Sequence, residues 1–564
     1  RVTVTQASER AILDWTSFSI GTGESARFIQ PGSTSVAVNR VTGADPSSIL
    51  GSLTANGRVV LINRNGIAFG KDATVDVGGL VATTADIDRQ AFMATGSLNF
   101  SGGSLPGASP GASVVNEGRI TVRDAGLAAL VAPSVRNSGT IVANLGRVAL
   151  GAGTGFTVDF YGDGLVSFAP DGVVAATVGD GDTALVENSG VIAASGGKVL
   201  LSAAAARDVV NASVNVSGVV RADGISRKGG SIVLSGSGSV TVTGTLSADS
   251  AETEGGRIDI SGRAVALGGR VSASGRDGGT VNVAAEGALS LAETVAVTGA
   301  LGGGGGIAYG GGRIVETSTS RSDASGLIDG GTIRSLADGG IVSSGHYAAA
   351  GRFGRGGRID MTGADVSLLS ATFDARGRQA GGLVRIGGAF QGGKTPDPSK
   401  PWFQSFLGRW GALPDLASAD GVFVSSGSRI DVSASGGAGG TAVIWSEDRT
   451  TFLGAIDARG AAGGSAEISS AGDLRQASLM DVHVGGGHLL LDPKNIVIGN
   501  TGDVSGWSYQ GIIGAGYFST RDADAGLDAG DAFGNAVALN AAGDRMAVGA
   551  SGDDGTGNLT LNVG

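Results

Sequence analysis

The feature that most constrains this chain is a recurrent cassette in which a glycine, usually followed by Arg, Lys, Thr or Ser, leads straight into a short alternating strand. Copies are Gly57-Arg58-Val59-Val60-Leu61, Gly197-Lys198-Val199-Leu200-Leu201, Gly256-Arg257-Ile258-Asp259-Ile260, Gly357-Arg358-Ile359-Asp360-Met361 and Gly464-Ser465-Ala466-Glu467-Ile468. From Gly230 the steps to the next such glycine are 26, 23, 33, 19, 26, 25, 58, 24 and 23 residues. A period of about 20 to 26 residues is that of a solenoid, in which each repeat is one coil that buries its apolar face only against its neighbours. The expected fold class is all-β, a parallel β-helix with extra-helical loops, its coils stacked about 4.8 Å apart.

Composition agrees. Glycine supplies 104 of 564 residues but not every third one, which excludes collagen, and β-branched residues are too frequent for a disordered chain. The glycines are expected at corners between strands, where positive φ is needed. A formal net charge of −11 argues against nucleic acid and anionic membrane as partners. No apolar run reaches the roughly 18 to 20 residues that a transmembrane segment requires. Cysteine is absent, which suits a chain that crosses a membrane unfolded, because a closed disulfide loop would obstruct threading. The sequence begins at Arg1 without a charged-then-apolar leader, so any signal peptide is expected to have been removed or to lie outside it.

Short strands are dense from Arg1 to Asp86. The less regular stretch 87–111, with Pro106 and Pro110, reads as an excursion from the coils carrying a short helix around Asp86 to Ala94. Cassettes such as Val115-Asn116-Glu117-Gly118, Val135-Arg136-Asn137-Ser138-Gly139, Val186-Glu187-Asn188-Ser189-Gly190 and Val214-Asn215-Val216-Ser217-Gly218 place Asn shortly before a glycine. That is how a corner with stacked polar side chains would read, so these asparagines are architectural on this reading. Residues 388–428 interrupt the period with Pro396, Pro398, Pro401 and the aromatic group Trp402, Phe403, Phe406 and Trp410. The group reads as a loop folded back over apolar surface. The alternative is a partner-binding site for a surface glycan or a protein receptor.

Motifs for chemistry are weak by comparison. Gly388-Ala389-Phe390-Gln391-Gly392-Gly393-Lys394-Thr395 fits the phosphate-loop pattern, but the motif needs a helix at the loop's end and three prolines follow. His346, His483 and His488 share no assured face, so no metal site is assigned, and they are expected at exposed or corner positions. Asp360 and Asp365 beside Arg358 are the nearest approach to a glycan-cleaving carboxylate set, yet alternating polar residues on an exposed strand account for them, and no catalytic residue is assigned. No cofactor is expected. The Asp-rich turns at Asp522, Asp524, Asp528, Asp544, Asp553 and Asp554 would suit calcium, but an intact ligand loop is missing and turn chemistry explains them.

One resemblance organises these parts. Ile12-Leu13-Asp14-Trp15-Thr16-Ser17-Phe18-Ser19-Ile20, Phe28-Ile29-Gln30-Pro31, Asn39-Arg40-Val41, Leu61-Ile62-Asn63-Arg64-Asn65-Gly66-Ile67-Ala68-Phe69-Gly70 and Val75 to Thr83 run in order over some 80 residues. This region resembles the secretion domain of the filamentous haemagglutinin family, the cargo of bacterial two-partner secretion. The family turn reads Asn-Pro-Asn-Gly-Ile, and Arg64 stands here at the proline position, which a type I turn tolerates. The resemblance implies a right-handed β-helix and recognition by an outer-membrane transporter through Asn63, Arg64, Asn65, Gly66 and Ile67. It also implies a product secreted to the surface of a Gram-negative bacterium, an adhesin acting in attachment or biofilm formation. A haemophore-like or host-protein-binding cargo and a β-helical polysaccharide-degrading enzyme are the alternatives. Ile386 to Gly392, Ala442 to Ser446 and Leu489-Leu490-Leu491-Asp492-Pro493 resemble the same family less specifically. Asp531 to Leu539 and Met546 to Ala550 resemble an FG-GAP repeat of β-propellers, of which one blade cannot close a ring. The expected division is 1–110 secretion domain, 111–387 coils, 388–428 insertion, 429–500 coils and 501–564 a truncated FG-GAP-like repeat.

Overall fold

The computed structural model describes residues 1–101, 112–158, 166–168, 184–204, 212–225, 229–393, 401–477, 481–499, 533–539 and 546–550. The chain forms two compact units, Arg1–Val297 and Thr298–Gly564.

In the first unit each coil lays down three short strands, one in each of three parallel sheets. A representative coil runs Ser239–Val242, Thr245–Ser247 and Arg257–Gly262, and the next runs Ala264–Leu267, Arg270–Ser272 and Thr280–Ala285. Register holds from coil to coil, so inward side chains stack on their counterparts. Ile232 lies on Ile258 and Val281, Leu234 on Ile260 and Val283, and Leu246 on Val271 and Val295. The burial pattern of Arg257–Gly262 alternates between outside and core, as a strand with one solvated face requires. This is the stacked parallel β-helix expected from the repeat, with the right-handed form that the resemblance implies.

The glycines have a different role from the expected one. Few cassette glycines have positive φ; their neighbour is the coil behind. A Cβ on Gly139, Gly190, Gly218, Gly244 or Gly269 would be driven into the carbonyl oxygen of the equivalent glycine one coil earlier, a column that runs from Gly118. Gly357 stands likewise on Gly331, and Gly331 on Gly305. Close backbone approach, not handedness, excludes a side chain at these corners. The irregular steps of 33 and 19 residues disappear as well. Gly312 leads the strand Arg313–Glu316 of another sheet, and the equivalent glycine is Gly305, giving steps of 26, 26 and 25 residues through Gly331, Gly357 and Gly382.

Beside the glycine column the asparagines form the ladder that their spacing suggests. Asn116 Nδ2 donates to Asn137 Oδ1 at 2.7 Å and Asn137 Nδ2 to Asn188 Oδ1 at 2.6 Å, all three side chains being buried. Asn215 falls outside it, because the register sets Val216 against Asn188. The ladder therefore ends on an apolar residue.

Among the described residues two excursions interrupt the coils, and each covers a sheet that the alternating pattern would leave wet. In the first unit the helix Arg89–Thr95, N-capped by Asp88 and ended by Gly96 at φ 83°, joins an antiparallel sheet of Asp86–Ile87, Leu98–Ser101, Gly155–Val158 and Val166–Phe168. Phe92, Phe100 and Phe156 pack on Val60, Val81 and Ala129, with the Phe100 and Phe156 rings stacked at 4.6 Å. Strands Gly79–Thr83 and Leu127–Ala132 are consequently buried on both faces, and both read as near-continuous apolar runs.

In the second unit the same sheet positions are Thr332–Ala337, Arg358–Thr362, Leu383–Ile386, Thr441–Ile444 and Ser465–Ile468. Leu383–Ile386 and Thr441–Ile444 are buried throughout, whereas Thr332–Ala337 alternates. Asp360 is fully buried rather than on an exposed strand as expected. Arg385, one coil on, grips it through Nε–Oδ1 at 2.8 Å and Nη2–Oδ2 at 2.9 Å. Asp365 is exposed, so the two carboxylates do not face one site. Phe533–Leu539 and Met546–Ala550 form an antiparallel pair. The Asp-rich turns around them lie outside the described residues.

The glycine column yields a direct test. Gly357→Ala should lower the urea midpoint, with a loss of about 1–3 kcal/mol from overpacking backbone. Gly306→Ala, where a Cβ meets nothing within 4 Å, should leave it unchanged.

Candidate functional sites

Two places were singled out by residue type, the Asn63–Ile67 turn and the aromatic insertion. The turn follows strand Arg58–Ile62 and precedes Ile67–Phe69. The Gly66 N–H donates to the Asn63 carbonyl at 3.0 Å, closing a four-residue turn, and Gly66 has φ 111°. Asn63 is wholly buried. Its Nδ2 donates to the Asp45 carbonyl and to Ser47 Oγ, both at 3.0 Å, while its Oδ1 accepts the Asn65 N–H at 2.9 Å. Asn65 Nδ2 donates to the Gly43 carbonyl at 3.0 Å. Both asparagines thus clamp the turn to the loop of the preceding coil. Ile67 is 2% exposed, and only Arg64 and Asn65 reach solvent, each half-buried.

The segment Asn39-Arg40-Val41 of the resemblance is equally occupied with structure. Asn39 accepts the Trp15 indole N–H at 3.0 Å. Arg40 makes a forked pair with Asp86, at 2.7 Å from Nε and 2.6 Å from Nη2, fastening the first excursion to the coils.

In the insertion, the helix Pro401–Trp410 starts on a proline, which the first turn of a helix accepts. The segment 388–428, read from sequence as a loop folded back over apolar surface, thus carries a helix that this reading did not include. Phe406 stacks on Phe390 at 4.3 Å and 8°. Trp410 Nε1 donates to Thr441 Oγ1 at 2.9 Å, and Arg409 Nη2 reaches the carbonyls of Gly381 and Ala438, both at 3.3 Å. Burial lowers the pKa of Arg409, and the charge of Arg355 adds to that. Farther along, Arg385 donates to the Pro414 carbonyl and Thr362 Oγ1 to that of Ala417. The chain re-enters the coils at Gly421–Val424. Trp402 and Phe403 lie on the same helix.

Between this helix and the sheet is a cleft of about 230 Å³ whose lining includes Phe390, Phe406, Arg409, Thr441, Glu467 and His488. Glu467 is buried, and both carboxyl oxygens accept the Gln391 N–H, at 3.1 and 3.0 Å. That bond uses a backbone donor of the phosphate-loop-like sequence on a carboxyl group. Gln391 and Gly392 have left-handed φ of 53° and 66°, and Lys394 and Thr395 lie outside the described residues. The geometry is a cover held over a strand, with a carboxyl where a phosphate would sit.

Of the histidines, His346 Nδ1 lies 2.6 Å from Thr372 Oγ1 and His483 Nε2 lies 2.9 Å from Asp481. His483 and His488 are exposed and His346 half-buried. Among the described residues no three His, Cys, Asp or Glu gather as a metal site.

Two buried carboxyls escaped the sequence reading. Glu316 lies inside the coil, where Ser343 Oγ donates to its Oε2 at 2.5 Å and Ser343 Oγ lies 2.7 Å from Tyr347 Oη; its Oε1 has no partner. The signal was the two-residue alternation, which sets Glu316 on the face of Ile314. Glu467 had no such signal, because an excursion from another coil covers its outward face.

Comparison with known proteins adds the following. Residues 1–248 match the family described as TPS secretion domain. A Haemophilus influenzae (strain Rd) heme/hemopexin-binding protein is 34% identical over 238 residues, 42% of this chain and 25% of that protein. A second Haemophilus influenzae protein of that description is 46% identical over 89 residues, 16% of this chain and 10% of its own length. The crystal structure of the HMW1 secretion domain from Haemophilus influenzae matches at 22% identity and a TM-score of 0.30, covering 88% of this chain and 94% of that one. The chain thus spans a quarter or less of the curated relatives it matches.

Burial lifts Glu316 from 4.5 to about 7 and Glu467 from 4.5 to about 8. A carboxyl whose folded pKa is raised holds a proton that the unfolded chain has released. Its contribution is full below pH 4.5 and is lost as pH rises through about 7 and about 8. Urea midpoints should therefore fall from pH 4.5 to 8. Glu467→Gln, which keeps an acceptor for Gln391, should flatten the upper part of that profile.

Proposed function

We propose that this chain, whose residues 1–248 match the TPS secretion domain family, is a two-partner secretion exoprotein that an outer-membrane transporter captures through that domain and that folds at the cell surface as an adhesin serving attachment or biofilm formation. The family match over the first 248 residues carries this reading. Three further features support it. Cysteine is absent, the coils are made of contacts to the preceding coil, and each new coil templates on the last, so folding outside biases the chain outward.

Asn63, Arg64, Asn65, Gly66 and Ile67 are the residues proposed for transporter recognition. Asn63 and Ile67 are buried once the coil closes, which supports a transporter that meets this turn before folding. Trp410 is bonded to Thr441 of a coil strand and Phe406 stacks on Phe390 within the insertion, which favours a covering role for these two aromatics over partner binding; the side chains of Trp402 and Phe403 lie outside the described residues.

A second reading takes the description of the relatives, heme/hemopexin binding, as a cargo function for this chain. It rests on a likeness that covers a quarter of the longer-matched relative.

The test is export from cells that make the cognate transporter. Asn65→Ile removes the bond to Gly43 and should cut the secreted fraction several-fold, with total expression nearly unchanged. Export at the wild-type level would remove the turn from recognition.

A further inference from the structure

In the second unit a groove of about 710 Å³ follows one corner of the coils. Its floor is Gly299, Gly326, Gly351, Gly377 and Ala434, joined coil to coil by parallel bridges. No side chain larger than a methyl stands there, so the floor is open to an extended ligand.

The next position on each coil reads Ala300, Leu327, Arg352, Arg378 and Ser435. Since Gly351 pairs with Gly377 in parallel, Arg352 and Arg378 are neighbours along the stack. Both are exposed, and neither has a carboxylate partner among the described residues. Arg376, also in the lining, is different: its Nη2 lies 2.7 Å from Asp374 and its Nε 3.7 Å from Asp431. Like charges on adjacent strands destabilise a sheet, and the fold makes no use of this pair. In a chain of net charge −11, two exposed arginines on adjacent coils with no carboxylate partner among the described residues, set beside a groove, select an anion.

The flank is apolar. Leu301, Ile328 and Phe353, exposed by 59%, 44% and 43%, follow on three successive coils, and the Arg352 guanidinium lies 5.4 Å from the centre of the Phe353 ring. Cations beside flat apolar surface, repeated about every 4.8 Å, suit a polymer whose units carry an acidic group and an apolar ring face. An acidic peptide would dock by adding a strand to a free edge. Here the floor amides are taken, Gly326 N–H by Ala350, Gly351 N–H by Arg376 and Gly377 N–H by Ser433, at 2.9, 2.9 and 3.1 Å.

We propose that this groove binds a linear glycan bearing carboxylates, a polymer of the uronate class, with Arg352 and Arg378 pairing its carboxylates and Phe353 packing on a sugar ring. This names a partner for the surface protein proposed above and rests on that reading only for where the glycan is met. Planar guanidinium forks match carboxylates in two-point hydrogen bonds.

The experiment titrates the purified chain with alginate oligosaccharides by calorimetry, with neutral cello-oligosaccharides and poly-L-glutamate as controls. Alginate binding that weakens with salt is expected, and the double variant Arg352→Gln/Arg378→Gln should weaken it about tenfold or more with a shallower salt dependence. Phe353→Ala should weaken binding and leave the salt dependence as it was. The single arginine variants, read separately, cover a double variant that does not fold. The proposal is overturned if alginate does not bind, if the arginine variants bind as the wild type does, or if either control binds as tightly. Export, measured separately, is unaffected by any of these outcomes.

Discussion

Everything in these coils depends on how closely one backbone can lie on the next. Parallel strands pair in register only if the corners between them also stack, and a corner stacks only where hydrogen takes the place of a side chain. The column Gly118, Gly139, Gly190, Gly218, Gly244 and Gly269, each over the carbonyl of the one before, meets that condition. The Asn116–Asn137–Asn188 ladder runs beside it, each buried amide N–H donating to the carbonyl oxygen of the next. Stability of this kind is passed from neighbour to neighbour, so a chain delivered end first can acquire it one coil at a time.

The second constraint concerns what faces outward. A β-helical strand buries one side, yet Leu127–Ala132 and Thr441–Ile444 bury both. Each is roofed by an excursion, and an arginine of the coils holds each roof: Arg40 forks onto Asp86 of the first excursion, while Arg385, itself forked onto Asp360 of the neighbouring coil strand, donates to the Pro414 carbonyl of the insertion. A buried ion pair contributes little net stability but makes a misplaced roof costly, since a lone buried charge has no compensation. Trp410, Arg409 and the Phe390–Phe406 stack bring the insertion helix to one position on the sheet.

Export and display make different demands on the same sequence. In the Asn63–Ile67 turn Asn63 and Ile67 are buried and Asn63 is bonded to the loop of the preceding coil, contacts that exist only once the coil has closed. The corner at Arg352 and Arg378 exists only after folding, because residues 26 apart in sequence become neighbours when the coils stack.

The repeat, the all-β class and the asparagine ladder were legible in sequence because each arises from local spacing: glycine at a fixed offset, apolar residues every second position, Asn just before the corner. The resemblance over the first coils was legible for the same reason, being a run of residues in order. The reason for the glycines was not legible, since the atom that excludes a Cβ belongs to the previous coil and not to the residue's own φ. Nor was the burial of Asp360 and Glu467, or the misassignment of Gly312 for Gly305. These depend on which coil an excursion lands on and which sheet a strand joins. Sequence alone determined that this chain must stack; only the tertiary structure decided what each corner touches, because those contacts join residues a full coil apart.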